Sequence, residues 1–234
     1  MASRSDKLFQ KRRPNKQRDL IRRKSSLPER RRVLIVCEGE KTEPLYLKAL
    51  VADLGLTTAE VEVCGKCDSA PVSVVKFGKK KFNSDPDFDL VFFVFDQDTH
   101  ASYDDALRLI EEFQCQRKFN GKTIAAITSI PCFEIWFLLH FEPHTKPYVA
   151  SGGKSPCKNL ISVLKRNPAF KDYEKGGENY FEVLQGRLPQ AKKNSAQALK
   201  QIQDAGSSAH HGNPTTLMHK LIDALENVAA EYKI

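Results

Sequence analysis

The octapeptide DLVFFVFD, residues 89–96, restricts the fold more than any other stretch of this 234-residue chain. A strand with one wet face alternates apolar and polar side chains, but here every position between the two end aspartates is apolar. Such a strand needs cover on both sides. VLIVC (33–37) repeats the pattern over a shorter run, and VEVCG (61–65) and IAAITSI (124–130) are further strand candidates. Segments with helix signals separate them. TEPLYLKALVADLG opens at Thr42 with Pro44 early and closes on Gly55, and a second helix is expected from about Pro71 to Lys81. ASYDDALRLIEEFQCQRK (101–118) puts Leu107, Ile110 and Phe113 on one side, and PCFEIWFLLHF (131–141) is a very apolar helix with Pro131 near its start. Continuous apolar strands alternating with helices predict an α/β fold: a mainly parallel sheet with helices on both faces.

Beyond about residue 145 the pattern changes. TKPYVASGGKSP reads as a Pro/Gly/Ser-rich linker, followed by helical segments near 156–166, 178–204 and 214–232 and no convincing strand. Asn213 or Thr215 is the expected cap of the last helix, with Leu217, Leu221, Leu225 and Val228 as its apolar stripe. The expected organisation is a basic tail over 1–32, an α/β core over 33–145 and a helical extension over 146–234 packed on the core.

Charge bears on partners. Residues 1–32 hold thirteen Lys or Arg against three acids, which leaves 24 basic and 26 acidic groups for residues 33–234. The net charge of +8 therefore belongs to the tail. Clusters such as Lys11-Arg12-Arg13, Arg22-Arg23-Lys24 and Arg30-Arg31-Arg32 suit a polyanion, through phosphate neutralisation and counterion release. A solubilising tail, or an organellar transit segment, has the same composition. No apolar run reaches the roughly 18 residues of a membrane span, and none follows the basic start as a secretory signal would. Six cysteines without dense spacing do not make a disulfide scaffold, so a reduced, cytoplasmic setting is expected.

Chemistry is expected where strands end, because parallel strands deliver their C-terminal ends to one edge. VLIVC runs into Glu38-Gly39-Glu40, and DLVFFVF into Asp96-Gln97-Asp98. Asp96 and Asp98 stand two apart, so an extended backbone would send both carboxylates to one side. Glu38, Asp96 and Asp98 together make an oxygen donor set for a hard cation, Mg²⁺ or Mn²⁺. Gly39 is expected to allow a tight turn after Glu38.

A strand ending in Glu-Gly with a later strand ending in Asp-x-Asp resembles the Toprim domain of topoisomerases, primases and OLD-type nucleases. The fuller stretches VLIVCEGEKTEPLYLKAL, VFFVFDQD, PCFEIWFLLHFE and NPTTLMHKLIDAL resemble the RloB family, prokaryotic proteins linked to restriction-modification and phage-defence loci. That resemblance implies a Toprim-like core and a Mg²⁺-dependent nuclease acting on DNA or RNA, alongside defence proteins. It implies Glu38 as general acid/base and Asp96 and Asp98 as the metal pair. Glu134 would lie at the same sheet edge and add a metal or water contact, although a first-turn acid favouring the helix dipole explains it equally well. Lys41 is placed to meet a scissile phosphate, and Glu43 to favour its helix N-terminus. A nucleic-acid-binding or scaffold protein with an inactive acidic site is the competing reading.

Other signals carry less. Cys64-Gly-Lys-Cys67 has half the spacing of a zinc site but no second half, and Cys37 and Cys132 read as small buried hydrophobes. SGGKS (151–155) lacks the first glycine of a phosphate loop and a preceding strand. Arg187, Lys192, Lys193 and Lys200 give one helix a basic face, either solvated or phosphate-tracking. Trp136, Phe137 and Phe141 read as core.

Overall fold

A computed structural model describes residues 31–58, 61–65, 70–116 and 119–231. Most of the basic tail and Cys67 lie outside these residues. The described chain runs β1 (Val33–Cys37), α1 (Thr42–Asp53), β2 (Val61–Cys64), α2 (Pro71–Ser84), β3 (Leu90–Asp96), α3 (Tyr103–Gln114), β4 (Thr123–Ile130) and α4 (Glu134–Leu139). It continues through α5 (Pro156–Leu164), α6 (Tyr180–Leu184), α7 (Leu188–Asp204), β5 (Thr215–Thr216) and α8 (Met218–Glu231).

The sheet order is β2-β1-β3-β4-β5. The first four strands are parallel and β5 is antiparallel to β4. This is the expected α/β architecture, consistent with a Toprim-like fold. The apolar strands explain it directly. In β1, Val33, Ile35 and Cys37 enter one core layer while Leu34 and Val36 enter the other. In β3, Leu90, Phe92 and Val94 join the first layer and Val91, Phe93 and Phe95 the second. Side chains alternate, yet both sets are buried, because α1, α4, α5, α7 and α8 supply one layer and α2 and α3 the other. Each fully buried side chain of this size adds about 1.5–3 kcal/mol. α2 comes close to the sheet at Gly78, where a Cβ would overlap the Phe93 ring.

Several local expectations need correction. The region beyond 145 does contain a strand: Thr215 and Thr216 pair with Ile130 and Ser129. The hydroxyls of Ser129 and Thr216 lie 2.9 Å apart, and the Leu217 N–H donates to the Thr128 carbonyl. Thr215 is therefore a strand residue and no cap, and the last helix starts at Met218. Two polar residues are too short a run to show period-2 patterning. α4 begins at Glu134, three residues past Pro131, which follows a cis peptide bond. The 178–204 segment is two helices joined by a 3₁₀ turn at Gln185–Arg187.

Cys132, expected as a small buried hydrophobe, is bonded to Cys157 in a disulfide that ties the start of α4 to the first turn of α5. No spacing rule marks a pair 25 residues apart. Arg31 and Arg32, counted with the basic tail, belong to the folded body. Arg32 donates to Asp85 and Asp89 and lies over Phe88, and the Arg31 guanidinium binds Glu231. Among the described residues, no helix is long and apolar enough to cross a membrane.

Candidate metal centre at the strand ends

β1 and β3 are neighbours, so their C-terminal ends open side by side. The ladder continues one residue past β1, with the Glu38 N–H donating to the Val94 carbonyl at 2.9 Å. This fixes Glu38 against the end of β3. The Asp96 N–H then donates to Glu38 Oε2 at 3.0 Å, and His100 Nε2 lies 3.1 Å from Glu38 Oε1. Both carboxylate oxygens of Glu38 are engaged.

Asp96 is the last residue of β3. Asp98 is not on an extended backbone, as the Asp-x-Asp spacing suggested: its φ is 31°, in the left-handed region. The turn is held because the Gln97 N–H donates to the Ser129 carbonyl and the Asp98 N–H to that of Pro131. Asp98 still reaches the same cleft as Asp96, by a bend. Its Oδ1 is buried with no hydrogen-bond partner among the described residues.

The cleft has a volume of about 480 Å³ and is lined by Glu38, Glu40, Glu43, Asp96, Asp98 and Glu134, with the ammonium groups of Lys41 and Lys175 and the His100 ring among them. All five residues predicted for the site therefore meet there. Glu43 does more than serve its helix end, because its side chain is buried in this cluster. Gly39 also differs from expectation. It adopts no positive φ; its role is space, since a Cβ there would overlap the Glu43 carboxylate.

Glu134, at the first turn of α4, is 1% exposed. Tyr173 donates to its Oε1 at 2.7 Å, Lys175 Nζ lies 3.6 Å from the same oxygen, and Cys157 Sγ sits 3.9 Å from Oε2. The loop bearing Tyr173 and Lys175 is pinned to α1, with the Gly176 N–H donating to Thr42 Oγ1 at 2.8 Å. Gly176 has a φ of 82°, and a Cβ on it would meet the Lys41 side chain.

Burial makes Glu38, Glu43 and Asp96 weak acids. Burial pushes Glu38 up to about 7, aided by the Asp98 charge and opposed by the Asp96 N–H and Lys175. Burial raises Glu43 to about 7 as well, with Glu134 adding to it. Asp96 rises well above its ordinary value, through burial first and then Glu43, Glu134 and Glu38. Desolvation opposes the Lys175 charge, but Glu134, Asp96, Glu43 and Asp98 outweigh it and raise that pKa. The part of these shifts that comes from neighbouring carboxylates is what a nearby cation relieves.

Among the described residues, three potential ligand atoms lie within 4.8 Å of one another only for Cys132, Glu134 and Cys157. The two sulphurs there are bonded to each other, which removes them as thiolate ligands. Glu38, Asp96 and Asp98 do not close into a cage that tight. Their all-oxygen chemistry and the unpartnered Asp98 oxygen instead fit a Mg²⁺-type ion, which is held by one or two carboxylates and keeps several waters.

The sequence model of one family, described as RloB-like protein, matches residues 33–225. This chain belongs to the RloB-like family. No curated protein and no solved structure matches it significantly. In this RloB-like chain the matched span holds every residue lining the cleft.

Sequence reasoning did not find His100, Tyr173 or Lys175. His100 was within reach, two residues past Asp98 in DQDTH. YEKGG carries no signal of its own, because only the fold brings it to the strand ends. The basic face proposed for residues 187–200 is partly spoken for: Lys192 pairs with Asp223 and Glu226 on α8, and Arg187 lies over Phe141. Trp136 and Phe137 are fully buried, as expected of core.

Proposed function

We propose that this RloB-like protein is a metal-dependent nuclease that hydrolyses phosphodiester bonds in DNA or RNA. The observation that carries the reading is the convergence of Glu38, Glu40, Glu43, Asp96, Asp98 and Glu134 on one open cleft at the ends of two adjacent parallel strands. Structural carboxylates are usually spread apart or paired; six lining one cleft suit a divalent ion, which relieves their mutual repulsion. Glu38, Asp96 and Asp98 would hold Mg²⁺ or Mn²⁺. When bound, the ion supplies Lewis acidity toward a phosphodiester and a more acidic water.

The protein groups then have distinct tasks. Glu38, fixed through Oε2 by the Asp96 N–H, presents Oε1 beside His100 for the general acid/base role that the family resemblance implies. Glu134, held by Tyr173, orients groups at the inner wall. Lys41 stands exposed at the cleft and meets the phosphate backbone. The basic clusters of residues 1–30 would add sequence-independent attraction to the polyanion. A cytoplasmic role in prokaryotic phage defence, alongside restriction-modification proteins, is the setting we infer from the family resemblance.

The test offers the purified full chain plasmid DNA, single-stranded DNA and tRNA, each with Mg²⁺, Mn²⁺ or EDTA. Metal-dependent cleavage that disappears in Glu38→Gln and Asp96→Asn supports the reading. Binding without cleavage in every metal condition would favour a nucleic-acid-binding scaffold instead.

A further inference from the structure

Lys175 is the cation whose position is hardest to explain as ordinary surface chemistry. Its side chain is 58% exposed, yet its ammonium points inward, 3.6 Å from Glu134 Oε1. At that distance the contact is an ion pair without a short hydrogen bond. The backbone around it is anchored independently of this pair. Two residues before, Tyr173 is buried and donates to Glu134. One residue after, Gly176 donates to Thr42 and packs on Lys41. The main chain at 175 is thus fixed on both sides, while the side chain is a long flexible stem at the mouth of the cleft. It lines the same cleft as Glu38, Glu43, Asp96 and Asp98, and its charge acts on the pKa of Glu38 by lowering it.

We propose that Lys175 is a built-in, displaceable counter-ion of the cleft, whose ammonium competes with a divalent cation for the same carboxylates. The inference rests on the metal reading above and deepens it. Two like charges cannot share one small acidic cleft without strong repulsion. Metal entry therefore turns Lys175 outward, pivoting on its anchored backbone, to the mouth where a phosphodiester arrives. Lys175 is a positioning residue in this account: without metal it holds the carboxylates together, and with metal it becomes a cation facing the polyanion. An ammonium on a flexible stem suits this role, because it makes a point-charge contact that breaks easily, unlike a bidentate guanidinium pair.

Two measurements on the full chain test this. The first is a Mn²⁺ titration, read as free Mn²⁺ by electron paramagnetic resonance, of wild type, Lys175→Met and Lys175→Arg, with thermal melts as the folding control. Removing the competing charge should tighten Mn²⁺ binding roughly tenfold in the Met variant. The Arg variant should stay within a few-fold of wild type. The second uses only wild type, which avoids any folding defect: brief acetylation of amines by an N-hydroxysuccinimide ester, with Lys175 modification read by peptide mass spectrometry. Lys175 labelling should rise several-fold when Mn²⁺ replaces EDTA. If wild type binds Mn²⁺ but the Met variant binds no tighter, or labelling does not change, the counter-ion role is overturned and the metal site stands. If wild type binds no Mn²⁺, the inference and the metal reading fall together.

Discussion

The acidic wall of the cleft and its Lys175 face come from different regions of the chain, before and after residue 145, and are built in different ways. Glu38 directly follows β1, Asp96 ends β3, Asp98 sits in the turn after it, and Glu43 and Glu134 lie in the first turns of α1 and α4. Lys175 and Gly176 sit on a loop of the helical extension, held by the Gly176–Thr42 hydrogen bond and the Tyr173–Glu134 contact. One wall is a consequence of the fold, the other an addition to it. Rigid elements hold the groups that must be placed accurately, and a loop supplies the group that can move.

The acidic wall should dominate activity. Glu38→Gln and Asp96→Asn are each expected to lower cleavage at least 10²–10³-fold, about 3–4 kcal/mol of transition-state stabilisation, in a gel assay with Mg²⁺. Their melting temperatures should hold or rise, because each removes a buried, crowded charge. A variant that keeps full cleavage would break the contrast by showing that the acidic wall is merely structural.

Burial also gives a pH signature. Glu38 and Glu43 have an ordinary pKa of 4.5 and rise to about 7 in the fold, chiefly through burial. Between these values the folded chain binds more protons than the unfolded one. Their contribution to stability is therefore complete below about pH 4.5 and is lost as pH rises through 7. For one such group the loss is on the order of 3 kcal/mol. Urea midpoints of metal-free protein should fall from pH 5 to pH 8, and Mg²⁺ at pH 8 should recover part of the loss. Flat midpoints over that window would mean the carboxylates are already neutralised.

Changes at the loop wall should be smaller. Gly176→Ala places a side chain at a φ of 82° and against Lys41, a cost of about 1–2 kcal/mol by denaturant unfolding. Thr42→Val removes the acceptor for the Gly176 N–H while nearly conserving volume. It should cost about 1 kcal/mol and raise KM for nucleic acid more than it lowers kcat. If either change harms activity as much as Asp96→Asn, the loop belongs to the catalytic wall and the contrast dissolves.

The sequence made the acidic wall readable for a specific reason. VLIVC and DLVFFVFD announce buried parallel strands, and parallel strands bring their ends together, so Glu38 and Asp96 follow from patterning. Asp98 was right in place and wrong in route, since its left-handed φ depends on bonds to Ser129 and Pro131 that no local pattern predicts. From the sequence Glu43 reads as serving its own helix, because its burial depends on Gly39 leaving room. The Tyr173–Lys175 loop, the Cys132–Cys157 bond and the two-residue β5 were hidden for one reason: each is a contact between segments far apart in the chain with no periodic signature.

Glu38, Asp96 and Asp98 are the proposed ligands of a divalent ion. The most direct test is anomalous diffraction from crystals of the full chain soaked in Mn²⁺. The account predicts a peak at the ends of β1 and β3, within about 2.5 Å of at least one of these carboxylates and lost in Asp96→Asn. A map with no peak in the cleft, or with its only peak beside Cys132 and Cys157, would contradict it.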